Sequence, residues 1–456
     1  MATAKQAPHA FDRAAFTSFR FLDRGIDRSG RVRLRYALDE QIEFTEEFDL
    51  PAQTPLDDER REAVDGLLSL LHWVAGVSYY KTALPPAIIC ETSPPPAAAT
   101  LLEALYSEGL AELAYRNELA GLPRPSFPRG AARAPHAQER TAPAPRRVLV
   151  PVGGGKDSVV ALEILRRSGL QTASFSVGDA APIARTVAVA GLPHLLVRRR
   201  LDPALQALNG AGALNGHVPV TAIVTCAALL TAALHGFDTV AMANERSASS
   251  GNLVWDGVEV NHQFSKGLRA ERLMRAAIAE LSGAVQLFSI LRPASELAIA
   301  RAFARMEPYH AAFTSCNALF RSDRSLRPAS WCCECPKCRF VFLALAPFTT
   351  PEHLTAVFGR DLLDDERQFE GFALLTATGG HKPFECVGEE QESVAAIRML
   401  AADPRWSGHR VVQRLVQEVL PGHPRTDGDP ADVLALSDEH EVPAALLGDV
   451  RAVLGA

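Results

Sequence analysis

The sequence predicts an α/β protein in three parts: a doubly wound domain with a parallel sheet, an N-terminal α+β domain before it, and a C-terminal extension after it. Two observations carry this expectation. From residue 146 onward short apolar strands alternate with helical stretches: RRVLVPV, then DSVVALEILRRSG, then QTASFSVGD, and on through PIARTVAVAG, LPHLLVRR and HGFDTVAMANE. That is the alternation of a parallel sheet with crossover helices. Before residue 120 the pattern is different, because apolar and polar residues alternate in SFRFLDRGIDRSGRVRLRYALDEQIEFTEEFDLP before helical periodicity takes over.

The N-terminal domain is expected over residues 1–120. Turn signals at Asp27 to Gly30 and at Asp39 to Glu40 divide its first half into a small antiparallel sheet, and helices follow from about Asp57 to Ser78 and from about Ala97 to Ala120. Residues 121–145 are rich in Pro, Ala and Arg and too poor in large apolar side chains to fold alone, so they read as a linker. The doubly wound domain should run over 146–348. The extension, 349–456, is expected to mix short strands and helices around TATGGHKPFECVGEEQES and to end in an acidic helical tail.

Bulk composition narrows the function classes. A chain of 456 residues with 47% hydrophobic content is long enough for two or three cores. The formal net charge is −6, so no positive excess is available to hold a nucleic-acid backbone, and thiolation of tRNA is disfavoured with it. The start, MATAKQAPHAFDRAAF, lacks a signal-like apolar core, and no run of about eighteen apolar residues follows. A cytoplasmic protein without a membrane partner is expected. Eight cysteines are too sparse for a disulfide scaffold, and the crowding of Cys332, Cys333, Cys335 and Cys338 suggests a metal or redox site.

The chemistry starts at VLVPVGGGKDSVVALEIL, where three glycines lie between a strand and a helix N-terminus, a place where backbone N–H groups and the helix dipole favour phosphate. A Walker A loop would need Gly where Val150 stands and Ser or Thr where Asp157 stands. A dinucleotide fingerprint would need Gly or Ala at Ser158. The stretch instead resembles the S-G-G-x-D-S loop of the ATP pyrophosphatase (PP-loop) superfamily, with Gly153 in place of the first serine. Gly154 and Gly155 would let the backbone approach pyrophosphate, Lys156 supply charge, Ser158 donate from the first helical turn, and Asp157 hold Mg²⁺ directly or through water. The resemblance implies cleavage of ATP to AMP and pyrophosphate with adenylylation of a substrate carboxylate or amide. It also places adenine and ribose near the end of the second strand, at Ser176.

Further on, MANERSASSGNLVWDGVEVNHQFSKGLRAE is dense in hydrogen-bonding side chains. Glu245 is a candidate ATP-site residue. Arg246, Ser247, Ser249, Asn252, Asn261, Gln263 and Ser265 are candidates for the substrate, or they satisfy loop backbone. Lys266 would sit near a leaving pyrophosphate, and His262 is a candidate proton carrier. Cys332, Cys335 and Cys338, with Cys316 upstream, have spacings compatible with a tetrahedral structural zinc site, which leaves Cys333 surplus; packed reduced cysteines are the alternative. The arrangement resembles the zinc site of 7-cyano-7-deazaguanine synthase, another PP-loop enzyme.

Taken together, FRF near the start, GGGKDS, the ANERSAS to VNHQFSK block, CPKCRFVFLALAPF and GGHKPFECVGEEQES are similar to the muramoyl-dipeptide glutamate epimerases, the MurL family. The resemblance spans nearly the whole chain. It implies ATP- and Mg²⁺-dependent conversion of the terminal L-glutamate of a UDP-muramoyl-dipeptide to D-glutamate, a step of peptidoglycan precursor synthesis. An α-proton beside a carboxylate anion is very weakly acidic, and adenylylation removes that charge and stabilises the carbanion. For the acid and base, Gly379 and Gly380 would present His381, Lys382, Glu385 and Cys386. Rival expectations are another carboxylate-adenylylating enzyme, such as a deazapurine nitrile synthase or an amide-forming ligase, and a non-catalytic nucleotide-binding module.

Overall fold

The computed structural model describes residues 11–51, 58–132, 144–320 and 327–455. The first ten residues, most of the central part of the expected linker (133–143) and residues 321–326 lie outside the described residues. The chain is a mixed α/β protein made of two compact units.

The first unit comprises Met1–Ala142, Leu196–Gly236 and Arg272–Val285. Its strands are β1 (Ser18–Ile26), β2 (Arg31–Leu38), β3 (Ile42–Asp49) and β4 (Ala87–Cys90). β1, β2 and β3 form an antiparallel meander, and β4 joins β1 in parallel. The turns fall where the sequence signals them, with Gly30 at φ 86° and Asp39 at φ 49°. The alternating pattern buries Phe19, Phe21, Leu34, Tyr36, Phe44 and Phe48 on one face. Helices Asp58–Ala75, Pro96–Ser107, Ala111–Arg116 and Val220–His235 belong to this unit, and the first and last of them pack together. The described start of the expected linker docks here: Phe127 is buried against the rings of Phe21 and Tyr106.

The second unit comprises Pro143–Leu195, Phe237–Glu271 and Gln286–Ala456. Its strands are β5 (Arg147–Pro151), β6 (Gln171–Val177), the beginning of β7 (His194–Arg200), β8 (Thr239–Met242), the hairpin β9 (Leu253–Trp255) and β10 (Val258–Val260), and β11 (Gln286–Ser289). β11, β8, β5 and β6 are parallel neighbours in that order. Strands β5 and β6 are consecutive, while β8 and β11 stand on the other side of β5. The order therefore reverses at β5, and a crevice opens at the carboxyl ends where loops diverge to the two faces.

A single core joins this sheet to the chain that follows it. Val148, Val150 and Phe288 from the strands share it with Leu297, Phe303, Phe340, Phe342, Ile397 and Trp406. Short strands expected beyond residue 350 do not form: the described residues after Ser289 hold helices, turns and loops. Pro383 breaks any ladder with its missing N–H, and HKPFEC is held by side chains instead. Asp256 and Gly257, at φ 49° and 74°, close the hairpin β9–β10 as a two-residue turn.

Candidate active site

Loops from three adjacent parallel strands meet at the carboxyl ends. The loop after β5 brings Gly153 to Asp157, the segment after β8 brings Glu245 and Lys266, and the turn after β11 brings Glu296. Of the three glycines, Gly154 is the one that the fold requires. Its φ is 83°, and a Cβ there would stand 2.6 Å from the Pro182 carbonyl carbon. Gly155 precedes the helix Lys156–Arg167, whose first turn has its N–H groups free of intrahelical partners. Ser158 Oγ donates to the Gly155 carbonyl at 2.9 Å.

Carboxylate oxygens of Asp157, Glu245 and Glu296 all lie within 4.8 Å of one another. Lys156, 0% exposed, bonds both Asp157 and Glu296, and Lys337 Nζ lies 3.4 Å from the other oxygen of Glu296. Burial disfavours the charge on Glu296, but Lys156 and Lys337 outweigh it and hold the carboxyl below the usual range. Glu245 goes the other way, raised by burial and by the Glu296 carboxylate beside it. Three carboxylates in such a space repel one another unless cations stand among them. The donor set, hard oxygens from three elements, suits a divalent ion such as Mg²⁺.

Beside this cluster, Lys266 Nζ approaches Gln263 Oε1 and Cys386 Sγ, each at 3.3 Å. Burial raises the Cys386 thiol, but Lys266 and a hydrogen bond from His262 outweigh it and bring the pKa down to about 6. Burial likewise works against the Lys266 charge, and Cys386, Glu245 and Asp157 together keep it above its ordinary value. Each shift favours the charged form of its group, the thiolate and the ammonium.

The remaining sequence candidates are distributed as follows. Asn252 donates to the Pro383 carbonyl at 2.7 Å and accepts from the His262 N–H at 2.9 Å, which ties the His262 loop to the HKPFEC segment. Asn261 donates to the Ala248 carbonyl and accepts from the Gln263 N–H. Ser249 accepts from the Leu268 N–H, and Arg246 donates to the carbonyls of Val433 and Ala435. Ser247 is fully buried and Ser265 half-buried. These asparagines and Ser249 brace the loop that carries His262 and Lys266. Ser176, at the end of β6, donates to the Gly178 carbonyl and bonds His194. Lys382 is buried with its pKa lowered by desolvation, whereas His381 is exposed.

Cys316, Cys332, Cys335 and Cys338 come together, with all four sulfurs within 4.8 Å of one another. Cys333 points elsewhere and donates to the Phe358 carbonyl. Glu385 sits between this group and the lysines: it accepts from the Lys337 N–H at 2.9 Å, and burial raises its pKa.

Sequence reasoning missed Glu296, Lys337 and Arg292. Glu296 follows the helix cap Ser295 directly after β11, a position that the strand–turn–helix rule could have flagged. Arg292, 1% exposed, donates to the carbonyls of Glu245 and Lys266 and to Glu271 Oε2, so it fixes both site-bearing segments.

Fold and site together define a mixed α/β protein with a charged, carboxylate-rich cluster over the carboxyl ends of a parallel sheet. The chain belongs to the MurL family: it matches the MurL N-terminal domain over residues 10–290 and the MurL C-terminal domain over residues 312–428. It is 48% identical over 412 residues to the UDP-N-acetyl-alpha-D-muramoyl-L-alanyl-L-glutamate epimerase of Salinispora tropica, covering 88% of this chain and 89% of that one. The proteins of the same name from Micromonospora sp. and Xanthomonas oryzae pv. oryzae are 47% and 40% identical, over 93% and 97% of this chain and 96% and 99% of theirs. Among the described residues, no helix is long and apolar enough to cross a membrane.

Proposed function

We propose that this chain is a cytoplasmic, ATP-dependent epimerase that converts the terminal L-glutamate of UDP-N-acetylmuramoyl-L-alanyl-L-glutamate to D-glutamate during peptidoglycan precursor synthesis. The observation that carries the proposal is the placement of the Cys386 thiol against Lys266, whose charge in turn faces Glu245 and Asp157 of the carboxylate cluster at the glycine loop. The names of the three relatives supply the substrate.

The glycine loop acts in this reading as a PP-loop. Gly154 and Gly155 present backbone N–H groups to the phosphates, and Lys156, Lys266 and Lys337 offset the charge that develops as pyrophosphate leaves. Asp157, Glu245 and Glu296 would hold Mg²⁺, which supplies charge neutralisation at the phosphates. ATP is the co-substrate: an α-carboxylate oxygen of the glutamate attacks the α-phosphorus, and the bond to pyrophosphate breaks.

In the resulting mixed anhydride the carboxylate charge is gone, so the α-proton is far more acidic. Cys386, as the thiolate that Lys266 favours, takes that proton, and its hydrogen bond to His262 provides a path to solvent. A solvent-derived proton returns to the opposite face. Water then attacks the acyl carbon, and AMP leaves with one oxygen of the original carboxylate.

The test is to incubate the purified protein with ATP, Mg²⁺ and the UDP-muramoyl-dipeptide, then assay AMP, pyrophosphate and the chirality of the glutamate. AMP with D-glutamate is expected. AMP without inversion would leave adenylylation and remove the epimerase; turnover only with added ammonia or amine would favour a nitrile synthase or ligase.

A further inference from the structure

The four cysteine sulfurs are arranged for a metal. Cys332 and Cys335 lie 3.7 and 3.5 Å from Cys338, and each of the four, Cys316 included, is within 4.8 Å of the rest. A tetrahedral zinc with bonds of about 2.3 Å places its sulfurs about 3.8 Å apart, whereas a disulfide needs about 2.05 Å. All eight cysteines are free. The Glu334 N–H donates to Cys332 Sγ at 3.5 Å and the Cys338 N–H to Cys335 Sγ at 3.4 Å, bonds that favour thiolates.

What this group holds is more informative than the group itself. Two residues before Cys316, the Thr314 N–H donates to the Gly154 carbonyl at 2.9 Å. The Ser315 hydroxyl lies against Gly155, 2.5 Å from where a Cβ would stand. On the other arm, Lys337 sits between Cys335 and Cys338, with its N–H on Glu385 and its ammonium on Glu296. Its helix, Pro336–Leu345, is anchored by buried Phe340, Val341, Phe342 and Leu343, each contributing about 1.5–3 kcal/mol by burial. The arm carrying Cys316 has a shorter anchor, buried Phe313 and Leu319. Beside the sulfur cluster, the arm that touches the glycine loop meets the other arm through Phe313 packed edge-on against Trp331, ring centroids 5.1 Å apart.

We propose that Cys316, Cys332, Cys335 and Cys338 bind one structural zinc ion, and that this ion clamps the glycine loop and Lys337 into one rigid site. With four thiolates there is no open coordination position, so the ion takes no part in the chemistry. The clamp does not depend on what ligand the glycine loop binds.

The test uses the full-length protein and reads metal and amide protection, so it stands apart from the epimerase assay. Elemental analysis should find about one zinc per chain. Cobalt grown into the protein should give the absorption of a tetrahedral tetrathiolate site. Cys333→Ser should keep the metal and Cys338→Ser should lose it; if Cys338→Ser does not fold, the wild-type and Cys333→Ser values still decide. Removing the metal from the wild-type protein should raise hydrogen exchange at the amides of Thr314 and Lys337 while those of Val148 to Val150 stay protected. Absence of stoichiometric metal, or loss of metal in Cys333→Ser, would overturn the site. Unchanged protection at Thr314 and Lys337 after metal removal would overturn the clamp.

Discussion

Lys266 Nζ lies 3.3 Å from Cys386 Sγ, pairing a cation from the segment after β8 with a thiol 120 residues further along the chain. The Lys266 cation is the main cause that brings the Cys386 pKa down to about 6 against its burial. It also sets the first prediction.

If Cys386 acts as thiolate, kcat/KM for epimerisation falls on the acid side through about pH 6, approaching tenfold per unit below it. The sign follows from the direction of the shift: the ionised form is present above the folded pKa and lost beneath it. Lys266→Met removes the main opposing charge, so burial dominates and the acid limb moves upward. Cys386→Ser should abolish exchange of the α-proton with solvent while AMP formation persists. A pH profile of each variant checks this.

Glu296→Gln removes the carboxylate shared by Lys156 and Lys337. Both lysines are buried, so the protein should lose about 3 kcal/mol in a denaturant titration, the range measured when one partner of a buried pair is deleted. Lys156 retains Asp157, which keeps the loss from being larger.

Gly154→Ala forces a Cβ into the Pro182 backbone at φ 83°, whereas Gly153→Ala meets nothing within 4 Å. Strain of about 1–3 kcal/mol at the first position should cost activity tenfold or more, and the second should stay near wild type. Comparing ATP-dependent turnover in the two variants separates a requirement for glycine from tolerance of it.

Arg292→Met leaves Glu271 buried without its cation and frees the carbonyls of Glu245 and Lys266. We expect a stability loss of about 3 kcal/mol, with KM for ATP rising more than kcat falls.

The parts of the site that the sequence made legible are those encoded locally. A strand, three glycines and a helix within VLVPVGGGKDSVV place the loop by themselves, and the spacing of Cys332, Cys335 and Cys338 marks a turn that can hold a metal. Glu296 and Lys337 were not legible. They reach Lys156 and Glu296 across 140 and 41 residues, partners that only the tertiary fold brings together. Asn252 and Asn261 were ambiguous for the opposite reason, since an amide that binds a ligand and one that closes a loop look alike in sequence. The strands expected in the extension failed because Pro383 and the charges around it favour side-chain anchoring over a ladder.

The central claim is that the substrate carboxylate, not water, attacks ATP. The most direct measurement supplies the dipeptide with oxygen-18 in its glutamate α-carboxylate and analyses the AMP released. One labelled oxygen in the AMP phosphate is the predicted result, because that oxygen crosses with the adenylyl group and stays when water cleaves the acyl bond. AMP free of label beside D-glutamate would contradict the account, since inversion would then proceed without an acyl adenylate.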